Sequence, residues 1–328
     1  MTSFHDLSFS GTRLAVMPTR VMDLQQTIRV PVSMTGIGLH SGEPVRMTLS
    51  PAGTDTGILF RSADGSLVPV TADQVVDTRS ATTVGAFGVK VRTIEHLMAA
   101  VGALGIDNLL VDIDGEEVPA ADGSAKPFVE LLLSAGRVSQ GAPRQRLTIT
   151  EPIRVGDESR WLHILPSDSL RISYTLDHGH PVIGLQVASL LVTETSFVDE
   201  IAPARTYGFL KDVPMMRQNG LARGGSLDNA VVVGKRIVLN DSLRFADEFV
   251  RHKILDLVGD LAVLGRPVIG HVVGRNAGHA LNHQLVLAIQ KSCAIARHRA
   301  TARSRAGVRR QPATAPSAQG LLPGIAAI

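Results

Sequence analysis

The sequence predicts an α+β protein of two domains, each a β-sheet covered on one face by a helix pair. Three observations carry that prediction. Strand-like runs precede helix-like runs twice, in a similar order. A polar segment containing Gly and Pro, residues 141–146 (GAPRQR), separates the two passages. The 328 residues suffice for two cores of ordinary size. The expected divisions are a flexible leader over 1–24, a first α+β domain over 25–142, a second over 143–296, and a flexible basic tail over 297–328. Apolar residues make up 44% of the chain and aromatics only 4%, so both cores should be aliphatic.

The elements follow from local pattern. Two β-rich runs within Thr27–Thr48 flank GIGLHSGEP and read as a hairpin with a glycine-bearing loop. Short strands are expected at 57–61, 82–85 and 89–91. A helix should then start with Thr93 as its N-cap, bury Leu97, Met98, Val101 and Leu104, and stop at Gly105. NLLVDID reads as a strand, and KPFVELLLS (126–134) as a helix closed by Gly136. Beyond the boundary come the strands RLTITEPIRVG, WLHILPS and LRISYTLD, then GLARGGSLDNAVVV as a glycine-rich turn feeding a strand. A helix over 245–264, the strand PVIGHVVG and a last helix from His279 to Ala296 complete the second half.

Composition excludes several functions. The single cysteine, Cys293, permits neither an internal disulfide nor a thiolate-rich metal site. No apolar run reaches membrane-spanning length and no secretory signal pattern occurs, so a cytoplasmic protein is expected. The net charge is +3, yet six arginines and no acid lie between 297 and 310, leaving −3 for the remainder. That balance gives no basis for nucleic-acid binding. The basic tail suits either weak attraction to anionic headgroups at a membrane surface or a solvated extension. GLARGGS lacks the Lys-Ser/Thr of a phosphate-binding loop, and no GxSxG element occurs. The acids Asp112, Asp114, Glu116, Glu117 and Asp122 miss the EF-hand spacing and are read as structural.

The chemistry concentrates on FADEFVRHKILDLVGDLAVL, residues 245–264. In a helix His252, Asp256 and Asp260 fall at successive i, i+4 steps on one stripe. His252 and Asp256 can then reach one cation, although a solvated stripe would give the same pattern. Glu95-His96 opens the first-domain helix, where adjacent side chains diverge by about 100°. His96 can be a third ligand while Glu95 takes a proton from water; ordinary surface is the alternative. His279, if paired with Asp260, would stay protonated and fit to donate a proton to a leaving amine. A satisfied, partly buried histidine is the competing reading. His178 and His180 read as loop residues outside the site.

Taken together, GIGLHSG (36–42), TIEHLMAA (93–100), GIDNLLVDI (105–113), DGSAKPF (122–128), ARTYGF (204–209), GGSLDNAVVV (224–233), LRFADEFVRHKILDLVGDL (243–261) and GHALN (278–282) resemble one family. It is the zinc-dependent UDP-3-O-acyl-N-acetylglucosamine deacetylases of lipid A biosynthesis. The resemblance covers roughly residues 26–295 and rests on the joint order of the motifs. It implies that the two domains pack with helix layers facing each other. It also implies Zn2+ on His96, His252 and Asp256, with Glu95 as general base; Fe2+ can occupy such a His/Asp site as well. His279 would be the acid, aligned by Asp260, and Thr206 would stabilise the oxyanion. Lys253 would face the diphosphate of an acylated UDP-amino-sugar, with Tyr207 where a phenylalanine is common. Val213, Ala222, Leu227 and Val232 would line the acyl passage, with the charge of Arg223 beside it. A monomer is expected, and VDTRSATT follows the family only loosely. A related amidase and a non-catalytic sugar-nucleotide binder are the other readings; the binder has no use for Glu95 and His279.

Overall fold

A computed structural model describes residues 23–308 and shows a mixed α/β protein with several sheets and six α-helices. The helices are α1 (Glu95–Ala103), α2 (Lys126–Ala135), α3 (Glu194–Ser196), α4 (Val213–Gln218), α5 (Glu248–Ala262) and α6 (His279–Val308). All but two residues of the expected leader, and everything beyond Val308, lie outside the described residues.

Two sheets dominate. In the first, Val32–Ile37, Pro44–Pro51, Leu109–Ile113, Ile58–Ser62 and Leu67–Pro69 lie side by side in that order. Successive pairs are antiparallel, antiparallel, parallel and antiparallel. The second places Ile153–Gly156, Trp161–Leu165, Val268–Arg275, Leu170–Asp177 and Leu185–Leu191 side by side. Its pair directions repeat those of the first sheet, and the short strand Leu147–Thr148 adds to Val268–Ile269. In both sheets the strand that comes last in the chain inserts at the centre, with one helix before it (α1 or α5) and one after it (α2 or α6). The duplication is in topology; residue identities do not reveal it.

Several elements differ from the sequence reading. Pro31 cannot donate a ladder hydrogen bond, and the expected first strand divides there. Leu24–Ile28 pairs instead with Arg137–Pro143, so the chain around Gly141 closes the first half as a strand. Thr93 is not the N-cap of α1: Ile94 holds that place without a side-chain cap, and Thr93 sits at φ +57°. The last helix runs past Ala296 to Val308, so the first twelve residues of the expected flexible tail are helical. Ala and Arg propagate a helix well, and no Gly or Pro interrupts before Gly307.

What positions the site is the crossing of α1 on α5. A Cβ at Gly259 of α5 would overlap the backbone carbonyl of Glu95, and one at Gly102 of α1 would come within 3.1 Å of Ala262 Cβ. The helices therefore touch along backbone, with Leu97, Met98, Val101, Ile254, Leu255 and Val258 buried around the contact. Gly259→Ala should cost about 1–3 kcal/mol, the scale of overpacking a filled core, because the obstruction is main chain. A urea titration checks this; an unchanged midpoint would show that the helices part freely.

Candidate metal centre and active site

α5 is buried nearly all round, which decides between the two readings of its polar stripe. His252 and Asp256 are each 2% exposed and Asp260 3%, and across the crossing Glu95 is 3% and His96 5% exposed. Buried polar groups require partners, and these side chains mostly find one another. One ligand atom from each of His96, His252 and Asp256 lies within 4.8 Å of the others. Asp256 Oδ1 is 3.2 Å from His252 Nε2 and 3.6 Å from His96 Nε2, yet it has no hydrogen-bond partner.

Local bonds set the donor atoms. His252 Nδ1–H donates to the Ala204 carbonyl at 3.1 Å, leaving the Nε2 lone pair toward His96 and Asp256. Burial pushes the His252 imidazole down to about 3, against the pull of Asp256, so it stays neutral and ligand-ready. Burial would raise Asp256, but His252 and the Lys253 ammonium overcome it and hold the carboxylate well below its usual range. Lys253 Nζ donates to Asp256 Oδ2 at 2.6 Å. Burial pulls Lys253 down, while Asp256 and the neighbouring tyrosines bring the net shift upward. An orphaned carboxylate oxygen facing two imidazole nitrogens, with no thiolate, fits a zinc or ferrous ion.

A second cluster adjoins the first. Asp260 Oδ2 accepts from Asn282 Nδ2 at 2.8 Å and lies 2.8 Å from His279 Nδ1, while Thr82 Oγ1 donates to Asp260 Oδ1 at 2.5 Å. Burial alone would lower His279; Asp260 and Glu95 outweigh it and hold the imidazole up at about 10. On its other side, His279 Nε2 is 3.7 Å from Glu95 Oε1. Glu95 Oε2 accepts from the Thr82 amide at 3.0 Å, and burial raises this carboxyl.

One cavity of about 370 Å³ is lined by Glu95, His96, Thr206, Tyr207, His252, Lys253, Asp256 and His279, with Asp260 behind His279. Thr206 and Tyr207 are held there because Arg205 grips Glu248 at the start of α5. Its amide and Nε donate to Glu248 Oε1 at 2.9 and 2.8 Å. The Thr206 amide also donates to the Gly123 carbonyl at 2.7 Å. Tyr207 stacks edge-on against Phe249 at 5.0 Å, and burial pushes its phenol up to about 12.

The proposed acyl-passage residues do not line this cavity. Val213 opens α4, Leu227 is 48% exposed, and Val232 pairs with Gly208 beside Tyr207. Ala222 has φ +53°, and its amide donates to His40 Nδ1 at 3.3 Å. The sequence reading missed Thr82, Asn282, His40 and His178. Thr82 lies in the segment that follows the family only loosely. His178, read as outside the site, has Nε2 2.8 Å from the Tyr207 hydroxyl and lines the neighbouring cavity.

Comparison with known proteins follows the same line. The UDP-3-O-acyl N-acetylglycosamine deacetylase (LpxC) family matches residues 25–291. The chain belongs to this family. It is 51% identical over 269 residues to the UDP-3-O-acyl-N-acetylglucosamine deacetylase of Syntrophotalea carbinolica, covering 81% of this chain and 87% of that protein. It is 51% identical over 266 residues to the one from Myxococcus xanthus, covering 80% and 85%. Against that from Acidithiobacillus ferrooxidans the identity is 46% over 271 residues, covering 81% and 89%. Their matched stretches are long enough to include both halves, so membership does not rest on the α5 motif alone.

The two clusters predict different losses. After dialysis, His252→Ala should retain almost no bound metal, whereas Glu95→Ala should keep about the wild-type stoichiometry. Metal analysis of the purified variants checks this, and a metal-free Glu95→Ala protein would contradict the division of roles.

Proposed function

We propose that this LpxC-family chain hydrolyses the 2-acetamido group of UDP-3-O-(3-hydroxyacyl)-N-acetylglucosamine, releasing acetate and the free amine, the committed step of lipid A biosynthesis. The observation that carries the reading is the convergence of a buried His-His-Asp donor set and a Glu95–His279–Asp260 set on one cavity. Zinc held by His96, His252 and Asp256 would polarise the acetamide carbonyl and make water a stronger acid; ferrous iron suits the same donors.

The side chains supply the rest. Glu95, its basicity raised by burial, takes a proton from the attacking water. The Thr206 hydroxyl donates to the oxygen on which negative charge develops. His279, charged because Asp260 and Glu95 outweigh its burial, gives a proton to the amide nitrogen as the C–N bond breaks. Acetic acid and a neutral amine result, the acid ionises to acetate in solvent, and the proton held by Glu95 is given up as His279 is recharged, which restores both groups.

The same reading assigns the substrate's outer parts. Lys253 and Arg160 line both the catalytic cavity and an adjoining one of about 440 Å³ that reaches Asp177 and His178. Two cations at that junction suit a diphosphate, and Tyr207, which lines both cavities, belongs to the ribbon that carries Val232. Val213, Ala222, Leu227 and Val232 are assigned to the acyl chain. Residues 25–142 and 143–296 act as two domains with their helix layers facing each other, an assignment supported by the α1–α5 contact and the repeated strand order. A monomer suffices, because one chain supplies every named residue. Among the described residues no helix is long and apolar enough to cross a membrane. The single cysteine fits a cytoplasmic setting.

Acetate release from the acylated UDP sugar tests the proposal. Purified protein should turn over, stop with chelator and recover with zinc; chelator-insensitive turnover, or none after zinc is restored, would sink it. Asp260→Asn should move the basic limb of the pH–rate profile downward by about 1–3 units. The sign follows from His279: its pKa is raised by Asp260, the proton donor exists below that pKa, and removing the charge makes it disappear at lower pH. An unmoved limb would separate Asp260 from the acid.

A further inference from the structure

Glu117 is 1% exposed and takes no part in the chemistry above, yet it joins two segments that line the catalytic cavity. Its Oε1 accepts from Thr93 Oγ1 at 2.8 Å and from the His40 amide at 2.9 Å, and its Oε2 accepts from the Ser41 amide at 2.8 Å. Gly38 leaves the room this requires, since a Cβ there would overlap both Glu117 Oε2 and Ser41 Oγ. Main-chain bonds fix the carboxylate's origin: the Arg92 amide donates to the Glu116 carbonyl at 2.9 Å, and the Val118 amide to Arg92 at 3.1 Å.

Thr93 gives the arrangement a purpose. It is β-branched and sits at φ +57°, a conformation that such a residue avoids unless its surroundings hold it there. It lies two residues before Glu95 and three before His96. A relaxed Thr93 would redirect the first turn of α1, which carries both side chains. The opposite end of the network presents His40. The Ala222 amide donates to His40 Nδ1, so the proton sits on Nε2, which is buried, unpartnered and on the cavity wall.

We propose that Glu117 is a positioning residue: by anchoring Thr93 in the left-handed conformation and the 38–42 loop beside it, it sets the start of α1 so that Glu95 and His96 meet α5. A carboxylate suits the role because all three of its partners are donors. A glutamine amide must turn its NH2 toward at least one of them.

The inference rests on acetamide hydrolysis at this site, so the test has two independent readouts. Glu117→Gln should lower kcat about 10- to 100-fold, the cost of a small misplacement of reacting groups, with KM little changed. Hydrogen exchange in the peptide spanning 93–104 should quicken. Thr93→Val, which keeps the shape and loses the hydroxyl, should reproduce both effects. Thr93→Gly should lose less, because glycine accepts the positive φ unaided, and Glu117→Gln should cost less in that background than in wild type. Equal cost in both backgrounds, or a KM effect with kcat intact, would overturn the proposal. If Glu117→Gln does not fold, the order of Thr93→Val and Thr93→Gly decides it. A wild-type protein that releases no acetate would fail the deacetylase reading alone, leaving the exchange measurements to judge Glu117.

Discussion

Everything at the site depends on two helices meeting closer than side chains normally permit. Gly259 lies against the Glu95 carbonyl, and that contact brings a glutamate and a histidine from one half of the chain within reach of a histidine and two aspartates from the other. Neither helix carries a complete set of groups. A methyl group at the crossing would separate them on the scale of a ligand bond, so the tolerance of the chemistry is set by backbone packing rather than by the flexibility of the functional side chains.

The second constraint is electrostatic. Glu95, Asp256, Asp260, His252, Lys253 and His279 share one poorly solvated region, where unpaired charge is costly. The structure distributes the charge by pairing. Lys253 neutralises one side of Asp256 while Oδ1 remains open toward the imidazoles, and His279 neutralises Asp260, both of whose oxygens accept hydrogen bonds once Thr82 and Asn282 are included. Two aspartates one helical turn apart thereby acquire different tasks from their surroundings. Asp256 keeps an available oxygen; Asp260 has none to spare. Their spacing alone could not distinguish them.

Much of this was legible in the sequence because helical periodicity is local: the stripe on 245–264, the Glu95-His96 pair and the histidine of GHALN could be placed from spacing. Family resemblance then supplied the roles. Burial answers one question that spacing leaves open, since the same i, i+4 pattern suits a solvated stripe and an enclosed one, and this stripe is enclosed. The contributions of Thr82, His40 and Glu117 were not readable, because they arise from segments remote in sequence and act through main-chain amides. Thr93 was misread for a related reason: threonine before a helix is ordinarily a cap, and only the observed φ and its bond to Glu117 show another use. The extension of α6 to Val308 runs against the flexible tail that a run of arginines suggests, because alanine and arginine both favour helix.

The repeated strand order has a consequence for how the fold tolerates change. Each half supplies a comparable frame, with one helix before the central strand and one after it, but the crossing helices carry different groups: Glu95 and His96 on α1, and His252, Asp256 and Asp260 on α5. Either half alone would hold at most two of the three potential metal donors. The candidate site is therefore a property of the seam, where any change on one helix alters what the groups of the other can reach.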